Sequence, residues 1–303
     1  MDIRKVYQDI LSERKKKVII DSDAYNEIDD QYAVAYALKC KEKIEVLSIN
    51  AAPFFNCRVE SAEKGMERSY EELLKIISLT DKNKKTPVYK GSRGFLTDKK
   101  KPYCSDAAFN IINTANNMND EILYVIAIGA ITNIASALMI APEIAKKMVV
   151  IWLGGNKFDW KNNEEFNLMQ DVYAAQVVLE SGAPFIQIPC MGVASSFLTT
   201  IPEIKACLQG KNQLCDYLVE ETLDYSKLDG GENWFGWSKI IWDVLAIAVL
   251  TKTDAFEKEI VKKPKLTDDK KWIMQQDGDE MLLITYVYRD PIYIDCFSRL
   301  IKE

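Results

Sequence analysis

Ten consecutive residues, Asp21-Ser22-Asp23-Ala24-Tyr25-Asn26-Glu27-Ile28-Asp29-Asp30, carry five acidic side chains directly after the apolar run Val18-Ile19-Ile20. Helix dipoles favour acids in a first turn, so Asp29 or Asp30 alone would mark no more than a helix start. Asp21 and Asp23 need another reason, because two carboxylates about 4 Å apart repel by roughly 4 kcal/mol at an effective dielectric near 20. A bound cation reverses the sign. The chain of 303 residues contains no histidine, so metal ligands must be oxygen or thiolate, and hard carboxylate oxygens point to Ca²⁺ or Mg²⁺. The same absence excludes Ser-His-Asp and Cys-His catalysis and any His-ligated zinc or haem.

Two known loops fit the acids poorly. The run from Asp21 begins with EF-hand spacing, but Asn26 stands at the glycine position and Tyr32 at the bidentate Glu position. The Asp-x-Asp nucleophile of haloacid-dehalogenase-like phosphatases also follows a first strand. It calls for Thr where this chain has Tyr25, and it leaves Asp29 and Asp30 without a role.

The elements that must position these acids alternate. Short apolar runs at 18–21, 44–50, 86–89, 122–128, 148–153 and 184–188 read as strands, and helix-period segments lie at 29–39, 59–78, 105–118, 131–139 and 171–181. Near-continuous apolar strands separated by helices predict a mostly parallel, Rossmann-like central sheet flanked by helices, with ligands at the strand carboxyl ends. After Gln209 the pattern turns helical at 212–226 and 240–250, and residues 272–294 read as a short strand meander turning at Gln276, Asp277 and Gly278. No repeat or linker divides residues 1–303, so one α/β domain is expected.

The chain has 39 Lys plus Arg against 45 Asp plus Glu, a net charge of −6 with scattered lysines, which argues against nucleic acid as a partner. Its seven cysteines never form a CxxC pair and read as reduced thiols. The charged N-terminus lacks a secretory apolar region, and no apolar run approaches the roughly 20 residues of a membrane helix. A cytoplasmic protein without membrane contact is the expectation.

The acidic segment resembles the Asp-x-Asp-x-Gly-x-Asp-Asp motif of the nucleoside hydrolases. Further matches occur in the same order along the chain. Phe55-Asn56-Cys57-Arg58-Val59-Glu60-Ser61-Ala62 resembles Gly-Asn-x-x-x-Glu-x-Ala, and Gly129-Ala130-Ile131-Thr132-Asn133-Ile134-Ala135 resembles Gly-Pro-Leu-Thr-Asn-Ile-Ala. Leu153-Gly154-Gly155, Glu165-Phe166-Asn167 and Asp171 with Ala174-Ala175 resemble Met-Gly-Gly, Glu-Phe-Asn and Asp-Pro-Glu-Ala-Ala, and Trp242-Asp243-Val244-Leu245-Ala246 resembles His-Asp-Pro-Leu-Ala. The resemblance implies Ca²⁺-dependent hydrolysis of a nucleoside N-glycosidic bond. It implies Asp23 as metal ligand and general base, Asp30 and Asp243 as metal carboxylates, and the Thr132 carbonyl as a further ligand. Asp29, Asn56, Glu165 and Asn167 would bind the ribose hydroxyls.

Two departures bear on this assignment. The loop between Asp23 and Asp29 is two residues longer than the motif and lacks its Gly. Trp242 replaces the His that protonates the leaving base in many members, and purine-specific members resemble this chain at that position. Trp242 would then stack on a purine, with Trp234, Phe235 or Trp237 as candidates for the other face. The partner is a small nucleoside, and a homodimer or homotetramer is the expected assembly. The competing expectation is a catalytically silent relative that binds nucleosides or sugars.

Overall fold

Strands with apolar side chains on both faces must be covered on both faces. The computed structural model of the chain describes residues 1–81, 83, 85–119, 121–231 and 236–302. In chain order the elements are α1 (Ile3–Leu11), β1 (Lys16–Ser22), α2 (Asp29–Lys39), β2 (Ile44–Ala51), α3 (Ala62–Thr80), β3 (Val88–Lys90), α4 (Asp106–Asn116), β4 (Leu123–Ala127), α5 (Thr132–Ile140), β5 (Met148–Leu153), α6 (Phe166–Gln170), α7 (Val172–Glu180) and β6 (Phe185–Ile188). The second half adds β7 (Leu198–Thr200), α8 (Ile201–Leu208), α9 (Gln213–Leu228), β8 (Ser238–Ile240), α10 (Val244–Thr251), β9 (Phe256–Lys262), β10 (Lys265–Leu266), β11 (Trp272–Ile273), β12 (Glu280–Val287) and α11 (Arg289–Leu300).

Eight strands form one sheet in the order β3-β2-β1-β4-β5-β6-β12-β9. Every neighbouring pair is parallel except β12 with β9. Side chains alternate between two cores. Val18, Ile20, Tyr124, Ile126, Val149 and Ile151 pack with residues of α2, α3, α9, α10 and α11, whereas Ile19, Val125, Val150 and Trp152 pack with α4, α5 and α7. β1 and β4 are therefore fixed from both sides, and a close-packed frame holds the turns that leave their carboxyl ends.

All six strands of the first half form where the apolar runs predict them, and α2 spans the predicted residues 29–39. The tail differs from the expected meander. β10 and β11 pair with each other, β12 enters the main sheet beside β6, and Arg289–Leu300 is a helix. Its buried residues Ile292, Tyr293, Cys296, Phe297 and Leu300 recur at helical spacing. The predicted helix at 240–250 starts only at Val244, because Ser238–Ile240 pairs antiparallel with β7. α1 is a further helix inside the charged N-terminal segment. It is capped by the Asp2 carboxylate on Arg4 N and anchored by Ile3, Val6 and Ile10.

Gly65 on α3 lies against the backbone of Phe54, where an added Cβ would fall 2.0 Å from the carbonyl oxygen. Helix propensity alone would make Gly65→Ala stabilising by about 1 kcal/mol. The close approach should reverse that to a loss of about 1–3 kcal/mol. Urea denaturation decides: a lower midpoint is expected, and a higher one would show that α3 can shift away from Phe54.

Candidate active site

The carboxyl ends of β1, β4, β5 and β6 lie level, with Asp21 beside Ala127, Ala127 beside Trp152 and Trp152 beside Gln187. β1 continues to β2 on one side while β4 stands on the other, so this edge is the crevice where strand order reverses. A cavity of about 220 Å³ opens there, lined by Asp23 after β1, Ile128 after β4, Leu153 of β5, and Cys190 and Met191 after β6. Asp29 and Asp30 at the start of α2, Asn26 and Glu27 before it, and Trp242 and Asp243 before α10 complete one side. Asn156, Glu164, Glu165, Phe166 and Asn167 complete the other.

Asp29, Asp30 and Asp243 are buried and each place a carboxylate oxygen within 4.8 Å of the others. Asp23 lines the same cavity, is 1 % exposed, and neither of its carboxylate oxygens receives a hydrogen bond. Gly129 makes room for it, since a Cβ there would lie 2.9 Å from its Cγ and Oδ1. Burial raises Asp23 well above the usual carboxylate range, and the charges of Asp30 and Asp29 push the same way. Asp29 is raised by burial and Glu27, against the pull of Lys239. Burial takes Asp30 up to about 7, although Ser22 Oγ donates to it. Asp243 is raised by burial and by Asp29, Asp30 and Asp23. Three buried carboxylates this close, with Asp23 on the same cavity and both its oxygens lacking a donor, fit a hard divalent cation with oxygen ligands.

Asp21 stands apart from the cavity. Its Oδ1 accepts from Asn133 Nδ2 at 2.9 Å, its Oδ2 has no partner, and burial takes it up to about 7. Glu165 caps α6: its carboxylate accepts from Gly155 N at 2.8 Å and from Asn167 N and Leu168 N at 2.9 Å. Burial still raises it, because those bonds offset only part of the cost. Asn167 Nδ2 donates to the Leu153 carbonyl at 2.9 Å. Both residues lie on the cavity wall.

Two expected residues do not line it. Asn56 lies behind Asn26 and donates to its Oδ1 at 2.7 Å. Thr132 gives its hydroxyl to Asp171 Oδ2 at 2.7 Å, and Ile128 is the residue of that strand-to-helix turn on the cavity wall. Trp242 is half-buried and faces the cavity beside Asp243, which it can do because α10 begins only at Val244. Trp237 donates from Nε1 to Asp229 at 3.2 Å and is not part of the lining, while Trp234 and Phe235 fall outside the described residues. Sequence reasoning misses Asn26, Glu27, Asn156, Cys190 and Met191. For Cys190 and Met191 the available signal is their position just after the apolar run of β6.

The family model for inosine-uridine preferring nucleoside hydrolases matches residues 18–277. The chain belongs to that family. This nucleoside hydrolase is thereby a hydrolase acting on N-glycosyl bonds. It is 27 % identical over 234 residues to a probable uridine nucleosidase 2 of Arabidopsis thaliana, a match covering 68 % of each chain. A shorter match, 37 % identical over 83 residues, covers 26 % of this chain and 27 % of an uncharacterized protein of Schizosaccharomyces pombe. In fold it is similar to the purine-preferring ribonucleoside hydrolase from Gardnerella vaginalis, with a TM-score of 0.77, 21 % identity, and coverage of 94 % of this chain and 98 % of that one. No helix among the described residues is long and apolar enough to cross a membrane.

The raised acids have a consequence for stability. With folded-state values near 7 for Asp21 and Asp30 against about 4 in an unfolded chain, the native hydrolase binds more protons through that window. Its stability must therefore fall as pH rises from about 4 to about 7. In chelator, Tm is expected to drop between about pH 5 and about pH 8, and a saturating divalent cation should restore it more at the higher pH. A Tm indifferent to divalent cations at the higher pH would count against a metal site.

Proposed function

We propose that this nucleoside hydrolase cleaves ribonucleosides, purine nucleosides foremost, to ribose and free base, with Ca²⁺ held by Asp23, Asp30 and Asp243. The observation that carries the proposal is the buried acid group and Trp242 on the walls of one cavity. Ca²⁺ bound there would supply a Lewis acid that lowers the pKa of the attacking water. The backbone oxygen ligand of the β4–α5 turn is assigned to Ile128, since Thr132 is not on the wall. Cytoplasmic location and assembly as a homodimer or homotetramer belong to the same proposal.

Each residue then has a definite task. Asp23, on the cavity wall with neither carboxylate oxygen hydrogen-bonded, is free to take a proton from water as general base. Positive charge develops on the sugar as the glycosidic bond lengthens, and the surrounding carboxylates favour it without reorganising. Asp29, Glu165 and Asn167 hold the ribose, so orientation is fixed before the bond breaks. No imidazole can protonate the departing base. The Trp242 indole stacks on it instead, and its π-face strengthens that contact as the base takes up a proton from solvent.

Release of free base from inosine, guanosine, adenosine, uridine and cytidine, with and without EDTA, tests the reaction. Rapid release that EDTA abolishes is expected, and Asp23→Asn should lower kcat by about 10²- to 10⁴-fold with an unchanged circular dichroism spectrum. Full activity of Asp23→Asn would remove its role, and binding of nucleosides without release would favour the silent relative.

The Arabidopsis relative makes uridine the informative competitor. Trp242→Ala should lower kcat for inosine more than it raises KM, because a contact that grows with charge on the base acts in the transition state. Uridine should suffer less. Equal proportional losses on both nucleosides, together with a large drop in Tm, would reduce Trp242 to a packing residue.

A further inference from the structure

The loop of residues 24–28 is held from behind by three other parts of the fold. Asn26 N donates to the Asp23 carbonyl at 2.7 Å, closing a turn directly after the general base. The Arg58 guanidinium lies 4.3 Å over the Tyr25 ring and donates to the Asn26 carbonyl at 3.1 Å. Lys239 of β8, 8 % exposed, pairs with one Glu27 oxygen, and the Tyr225 hydroxyl donates to the other at 3.0 Å. These anchors engage the backbone and the flanking side chains. The half-buried Asn26 side chain remains on the cavity wall.

Its polarity is dictated from a distance. Arg58 N donates at 2.9 Å to the side chain of Asn56, and a backbone N–H can only donate, so the atom it meets is Oδ1. Asn56 Nδ2 is then turned toward Asn26 and donates to its Oδ1 at 2.7 Å. With Oδ1 engaged by Asn56, Nδ2 is the remaining polar end of the Asn26 side chain, a residue of the cavity wall, and among the described residues it donates to no protein acceptor. A two-amide relay thus ends in one amide donor on a wall of the acid-lined cavity.

We propose that Asn26 is a substrate-binding residue that donates to a ribose hydroxyl oxygen, and that Asn56 is the positioning residue that aims it. This rests on the ribonucleoside reading above. The reacting carbon of an N-glycosidic bond belongs to the sugar, and Asn26 is tied to the main chain of Asp23, so the sugar is the part of the substrate within its reach. A hydroxyl both donates and accepts. Asp29 can take its proton while Asn26 Nδ2 serves its oxygen, a pairing that neither side chain satisfies alone. A substrate lacking that hydroxyl leaves both groups unpaired, which makes Asn26 a determinant of selectivity for ribose over deoxyribose.

The test compares kcat/KM of the metal-loaded protein for inosine and its 2′-, 3′- and 5′-deoxy analogues, in wild type, Asn26→Ala, Asn26→Asp, Asn56→Ala and the double alanine variant. Asn26→Ala should cost about ten- to a hundredfold on inosine and almost nothing on the one analogue that lacks the recognised hydroxyl. Asn26→Asp keeps the acceptor for Asn56 but loses the donor, so it should show the same loss of selectivity. Asn56→Ala should weaken the same discrimination, and the double variant should be no worse than Asn26→Ala. Equal losses on all four substrates, or loss of discrimination in Asn56→Ala but not in Asn26→Ala, would overturn the proposal while leaving the hydrolase reading intact. A wild type that releases base from no nucleoside would overturn that reading, and this one with it.

Discussion

Mutual repulsion among Asp23, Asp29, Asp30 and Asp243 is the constraint on which the rest of the structure depends. Each is buried, and each is raised first by loss of water and further by at least one acidic neighbour. A loose scaffold would let the side chains swing apart. β1 cannot, because Ile19 and its neighbours Val18 and Ile20 are packed into opposite cores and fix the strand to the last residue before the acids. Local relief is partial: Ser22 donates to Asp30, and the buried Lys239 offsets Asp29 and Glu27. The remaining imbalance is one that a bound cation would relieve.

Work is divided between the two halves of the chain. The parallel sheet supplies the fixed part, Asp23, Ile128, Leu153 and the turn carrying Cys190, on the ends of four adjacent strands. The later elements supply Trp242 and Asp243 from the start of α10, Lys239 from β8 and Tyr225 from α9. The cavity is thus complete only when elements from both halves of the chain have come together.

Much of this is legible in the sequence, for reasons particular to each element. Strands buried on both faces leave unbroken apolar runs, and Asp29-Asp30 marks the start of α2 without ambiguity. α11 reads as strand because its flank Tyr286-Val287-Tyr288 is rich in strand-favouring residues, which masks the helical spacing of Ile292, Cys296 and Phe297. The motif matches single out Asp23, Asp29, Asp30, Glu165, Asn167, Trp242 and Asp243, and all seven line one cavity. Asn56 and Thr132 do not, since a match fixes position along the chain but not the direction of a side chain. The loop that holds the extra residues before Asp29 puts Asn26 on the cavity wall, with Asn56 donating to it from outside the lining. Nothing local announces the Glu27–Lys239 pair, whose members are 212 residues apart.

That separation also governs the order in which the molecule can be completed on the ribosome. Strand β1 lies third of eight in the sheet, yet Lys239 and Asp243 are the last of the charged residues around its end to be made. At translation speeds of about 5–20 residues per second, the nascent chain carries its exposed aspartates for roughly 10–40 s before the far half of the site emerges. Charges that flank an apolar strand disfavour its pairing with another chain. The acids that crowd the finished cavity hold that flanking position, directly after Val18-Ile19-Ile20, in the unfinished chain.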